Sequence, residues 1–125
     1  MTWRHFTLAE FSCRHCGENK IAHDFIDKID ALREVCGFAL PVTSGYRCPE
    51  HNAAVSSTGL MGPHTTGRAV DFGVQGRQAL TLVQLALARG GFTGIGLNQK
   101  GAGRFVHLDD LPNATGQPRP TCWTY

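Results

Sequence analysis

The stretch His64-Thr65-Thr66-Gly67-Arg68-Ala69-Val70-Asp71 sets an imidazole and a carboxylate on either side of a glycine, and a second imidazole, His107, follows much later in the chain. Two imidazoles and a carboxylate are a sound ligand set for zinc, and a fourth position left to water makes such a site catalytic rather than structural. The neighbours of these residues strengthen that reading. Asp71 stands between Val70 and Phe72, and His107 between Val106 and Leu108; polar groups in apolar runs are costly unless hydrogen-bonded, paired or bound to a metal. Alternate residues of a strand share a face. Asp71 therefore goes with Ala69, opposite Val70 and Phe72, while Phe105, His107 and Asp109 lie opposite Val106 and Leu108. Spacing alone also allows an ordinary alternative, with His64 in a solvated loop, Asp71 bonded to backbone at a strand edge and His107 a hydrogen-bonded core residue.

A second constellation uses sulfur. Cys13-x-x-Cys16 has the spacing of a chelating knuckle, and Cys48-x-x-His51 offers two further ligands for a four-coordinate structural zinc. The competing reading makes each cysteine a small buried hydrophobe, and Cys36 and Cys122 suggest only packing. A thioredoxin-like role needs a strand leading into Cys13 within a βαβ unit, which the preceding residues do not offer. The chain has 5 cysteines, an odd number at irregular spacing and a poor disulfide framework, which suits synthesis in a reducing cytoplasm.

The elements that must position these groups follow from periodicity and punctuation. Thr7 with Glu10 three residues on forms a capping-box pattern for a short helical turn, flanked by Phe6 and Phe11. Phe25, Ile29, Leu32 and Cys36 recur at helical spacing, predicting a helix over 22–36 that stops at Gly37. A short strand is expected over 40–44, a short helix from 49 or 50 to 55 with proline in its first turn, and a loop over 56–63. A strand over 69–74 should feed a Leu-rich helix over 77–89, ended by Gly90-Gly91. Segments 94–97 and 104–108 flank a turn-rich stretch and read as an antiparallel hairpin. The tail 112–125, with three prolines before Cys122-Trp123-Thr124-Tyr125, is expected to be irregular and anchored by its aromatics. Together these predict one α+β domain over 1–125, with a small antiparallel sheet, helices on one face and the Asp71 and His107 side chains on the other.

Composition narrows the field. A chain of 125 residues, 42% hydrophobic and 18% charged, suits one packed domain and argues against disorder. Its net charge of +2 comes from 12 scattered Lys and Arg, so no basic face points to nucleic acid. No run approaches the roughly 20 apolar residues of a membrane span. The segment 1–6 lacks the basic start and apolar run of a secretory signal, so export is expected to need outside help. A monomer is expected.

Taken in order, Ser44-Gly45-Tyr46-Arg47, Asn52, His64-x-x-Gly67-x-Ala69-x-Asp71, Phe105-Val106-His107-x-Asp109, and Arg119 with Trp123 resemble the zinc D-Ala-D-Ala carboxypeptidase family. That family includes bacterial and phage cell-wall peptidases and shares its fold with the Hedgehog signalling domain. The opening Phe6-Thr7-Leu8-x-Glu10-Phe11 with Cys13-x-x-Cys16 is similar to small phage and prophage members. The resemblance implies His64, Asp71 and His107 as zinc ligands and Arg47 as the cation for a substrate carboxylate or a developing oxyanion. It implies Ser44 and Tyr46 as cleft residues and peptidoglycan stem peptides as substrates, reached at the cell wall after release from the cell or from a phage virion. Members with an acidic base three residues before the last histidine have no counterpart here, because that position is Arg104. Asp109 is the expected base instead, with Asp110 less favoured. Gly62-Pro63 also departs from relatives that carry a serine two residues before the first histidine. The missing acid keeps open a non-catalytic zinc-binding recognition module of the same fold, as the Hedgehog relatives allow, and a zinc-ribbon interaction protein built on the cysteines is a further alternative.

Overall fold

In the computed structural model, residues 2–125 are described. Among them five strands form one sheet: β1 (Val42–Ser44), β2 (Ala69–Phe72), β3 (Gly94–Asn98), β4 (Phe105–Asp109) and β5 (Thr121–Thr124), in the order β1-β2-β4-β3-β5. The first four pair antiparallel, and β5 adds to the outside of β3 in parallel. Strand β5 corrects the expectation of an irregular tail. Cys122, expected to pack, is exposed on it.

Helices α1 (His23–Cys36) and α3 (Gly76–Arg89) cover one face of this sheet. Phe25, Ile26, Ile29 and Leu32 of α1 and Leu82 of α3 are fully buried against Val70, Phe72, Val106 and Leu108, the apolar halves of β2 and β4. Helix α1 ends at Gly37 in the left-handed region, as predicted. At the N-terminus, Glu10 accepts the Thr7 backbone N–H at 2.6 Å, fixing a 3-10 turn over Leu8–Phe11, and Phe6 and Phe11 enter the core. The short α2 (Pro49–Val55) contributes nothing to that core cluster; it packs beside a 3-10 turn at Pro63–Thr66, toward the cleft. The observed class is α+β. No helix among the described residues is long and apolar enough to cross a membrane.

Candidate metal centre and active-site cleft

Asp71 and His107 are direct cross-strand partners at the centre of the sheet, on the face away from α1 and α3. His64 reaches them from the 3-10 turn at Pro63–Thr66, which exits through Gly67 at φ 76°. A Cβ at Gly67 would run into the Lys20 carbonyl, so backbone conformation and close approach both require glycine there. The departure at Gly62 has a similar cause: a side chain would strike the Thr58 hydroxyl and crowd the Asn52 amide at 3.0 Å.

His64 Nε2 lies 3.2 Å and His107 Nδ1 3.0 Å from the same Asp71 oxygen. Ligands about 2.0–2.1 Å from a common tetrahedral centre stand roughly 3.3 Å apart, so the donor set matches a zinc site in chemistry and spacing. Both imidazoles are turned by a second partner. His64 Nδ1 donates to the Gly45 carbonyl at 2.9 Å, and His107 Nε2 donates to Asp109 at 2.7 Å. Each bond leaves the other ring nitrogen free to face Asp71, which is how outer partners fix the tautomer of a ligating histidine.

The buried charged groups of the site offset one another's desolvation. Burial works to raise the Asp71 pKa, but His64 and His107 hold its carboxyl well below the usual carboxylate range. Burial likewise works to lower His107, and Asp109 and Asp71 overcome it, so the ring holds a proton more readily than a free imidazole. For Asp109 burial is again opposed, by His107 and then Arg119, bringing its pKa down to about 2.

Space for the partners of His107 comes from two glycines on β3. Gly94 pairs with Asp109, and Gly96 pairs with His107 on one side and Trp123 of β5 on the other. A Cβ at Gly94 would run into the Asp109 carboxylate, and one at Gly96 would meet Trp123 Nε1 at 2.6 Å. Into the notch comes Arg119, donating from Nε and Nη2 to the two Asp109 oxygens at 2.9 and 2.8 Å, with its guanidinium 5.1 Å from the Trp123 ring centre. An open cleft of about 1010 Å³ lies over the His64, Asp71 and His107 set, with Arg47, Phe105, Trp123 and Tyr125 among its walls.

A family profile described as Peptidase M15 matches residues 4–109. The chain belongs to the peptidase M15 family. This is the family of zinc D-Ala-D-Ala carboxypeptidases, and its members are metallopeptidases. None of the curated proteins compared with the chain matches it.

Within this M15 domain the residues singled out from sequence divide into three groups. Arg47 lies on the cleft wall with the three ligands, donating to Asn52 Oδ1 and to Ser44 Oγ, each at 2.9 Å. Ser44 and Tyr46 do not line the cleft: Ser44 braces Arg47, and Tyr46 is buried against Cys13 and Cys48. Asp109 shares the face of His107 but is fully buried, beyond the ring from Asp71 and clasped by Arg119. Asp110 points elsewhere, into Arg68 and Lys28 at 2.8 Å. Arg104 borders a shallow hollow with Ala79, Leu80 and Val83 of α3 and donates from Nε to the Gly101 carbonyl at 2.9 Å. Cys13, Cys16 and Cys48 come together, but the imidazole beside them belongs to His15, on whose ring His51 stacks. Asn52, Arg119, Gly94 and Gly96 are functional-site residues whose parts the sequence did not reveal.

Proposed function

We propose that this M15 metallopeptidase hydrolyses a peptide bond next to a D-amino acid in peptidoglycan stem peptides, with His64, Asp71 and His107 holding one zinc ion. The observation that carries the reading is the convergence of those three donor atoms beside Arg47 in one open cleft. When bound, zinc supplies Lewis acidity, lowering the pKa of water toward about 7 and polarising a carbonyl.

The chain's own residues do the rest. Ser44 and Asn52 hold the Arg47 guanidinium by two of its nitrogens, and its planar fork is shaped for a substrate carboxylate or a developing oxyanion. Phe105, Trp123 and Tyr125 give the cleft apolar walls against which a stem peptide can lie and water is excluded. Asp109 is assigned to positioning: with both oxygens engaged and no exposed surface, it holds His107 in its ligating tautomer rather than meeting substrate. Action at the cell wall is part of the proposal and follows from that substrate, and a phage role, in lysis or from a virion, is proposed from the opening Phe6-Thr7-Leu8-x-Glu10-Phe11 with Cys13-x-x-Cys16.

One observation favours the non-catalytic alternative. Among the described residues lining the cleft, Asp71 is the one carboxylate, so no second acid stands ready to take a proton from water. Defined muropeptides separate the two readings: mass analysis of products, with and without a chelator, should show chelator-sensitive loss of D-Ala or opening of a cross-link. His64→Ala and His107→Ala should each end both zinc binding at this site and cleavage. Full cleavage by either variant would sink the peptidase proposal, and a zinc-loaded wild type that cleaves nothing would favour the module.

A further inference from the structure

A second group of metal-binding side chains lies outside the peptidase site. The sulfurs of Cys13, Cys16 and Cys48 all lie within 4.8 Å of one another, although Cys48 is far along the chain from the other two. The backbone around them is shaped to face sulfur. Cys13 N–H donates to the Glu18 carbonyl at 2.7 Å and Gly17 N–H to the Cys13 carbonyl at 2.9 Å, closing a tight turn that Gly17 exits at φ 79°. Cys48 N–H donates to Cys13 Sγ at 3.3 Å, and the N–H groups of Cys16 and His15 also turn toward it. Cys48 occupies the N-cap position of α2 without a side-chain cap hydrogen bond. Hydrogen bonds such as those to Cys13 Sγ favour the thiolate, the form that binds metal.

Packing does not explain the trio. Cys13 and Cys48 form a small cluster with Tyr46, separate from the main core, and Cys16 is exposed. Thiolates this close repel one another, and a bound cation removes that obstacle. Beside them His15 Nδ1 lies 3.6 Å from Cys48 Sγ; it stands outside the mutual 4.8 Å of the three sulfurs, so it needs a turn of its ring to complete a tetrahedron with them.

We infer that Cys13, Cys16 and Cys48 hold a structural zinc ion distinct from the one at His64, Asp71 and His107, with His15, the imidazole beside Cys48, turning in as the fourth ligand. Soft sulfur donors in a closed tetrahedral set select zinc over calcium, magnesium or manganese. The ion clips the N-terminal segment to the turn that carries Arg47. That turn is already pressed close: Tyr46 N–H donates to the Phe11 carbonyl at 2.8 Å, a Cβ at Gly45 would meet the Phe11 backbone at 2.6 Å, and Arg47 N–H donates to the His64 carbonyl at 3.2 Å.

The test uses zinc and cobalt(II) alone as probes, on full-length protein purified in reductant. Wild type should hold two zinc equivalents per chain, and the His64→Ala/His107→Ala double variant one. Cobalt in either protein should give the intense near-ultraviolet band of thiolate ligation. Cys16→Ser, at an exposed position, should lose one equivalent and that band, and His15→Ala should weaken zinc retention at this site where His51→Ala does not. A folded wild type without the thiolate band, or two of the three sulfurs joined as a disulfide under reductant, would overturn the proposal. Loss of the ion in His51→Ala but not in His15→Ala would overturn the assignment of the fourth ligand.

Discussion

Replacing Asp109 by asparagine separates positioning from proton transfer at the metal centre. The side chain keeps its shape and an oxygen for His107 Nε2, now 2.7 Å away, but loses its charge and turns an amide group toward Arg119, whose two donors now meet carboxylate oxygens. Outer partners of ligating histidines are worth about 10–100-fold in metal affinity, which corresponds to about 1.4–2.7 kcal/mol. Asp109 is 0% and the Arg119 side chain 6% exposed, so breaking this buried pair should also cost stability, up to about 3–5 kcal/mol. Competition with a chromophoric chelator gives the zinc affinity, urea unfolding the stability, and muropeptide cleavage at rising zinc the turnover. Positioning predicts weakened zinc binding and cleavage that recovers as the site is saturated. Unchanged zinc affinity with turnover lost at saturating zinc would refute the assignment and restore Asp109 as the base.

Gly96→Ala places a methyl group against Trp123 and Tyr125, where the added Cβ would sit 2.6 Å from Trp123 Nε1; a loss of about 1–3 kcal/mol in urea unfolding is expected, and unchanged stability would contradict the notch. Arg47→Ala should lower kcat/KM on muropeptides about 100-fold or more if the guanidinium meets developing charge, with Arg47→Lys only partly restoring it; an effect within a few-fold would remove Arg47 from the site. On the helix side, Arg68 hydrogen bonds hold the Asp24 carboxyl below its ordinary value. A depressed folded pKa means stability that is present above the unfolded value of about 3.9 and lost as pH falls through the folded one. Asp24→Asn should therefore cost up to about 1 kcal/mol at neutral pH, because the pair is largely exposed. That cost should fade below about pH 4, and a pH-independent difference would contradict the ion pair.

Much of this site is legible in sequence because it is built on period-two alternation. Val70 and Phe72 bind the core face, which forces Asp71 to the other side, and Val106 and Leu108 do the same for His107. Local signals likewise sufficed for α1 and α3, whose apolar spacing and terminal glycines agree with their observed ends. What escaped is non-local. Strand β5 has four residues, follows a proline-rich stretch, and is held by parallel pairing to β3, although the β-branched and aromatic Thr121-Cys122-Trp123-Thr124 carried a strand signal. The burial of Asp109 depends on a notch made by Gly94 and a guanidinium arriving from the tail, and no pattern around residue 109 encodes either. The resemblance implied Tyr46 as a cleft residue, but it is buried with Cys13 and Cys48.

The central claim is that one zinc ion is held by His64 Nε2, the shared Asp71 oxygen and His107 Nδ1, the atoms now 3.2 and 3.0 Å apart across that oxygen. Anomalous diffraction at the zinc edge from zinc-replete crystals tests it most directly. The account predicts a peak about 2.0–2.2 Å from all three atoms. A zinc-replete crystal with no peak there, or with the two imidazoles bound to different ions, would contradict it.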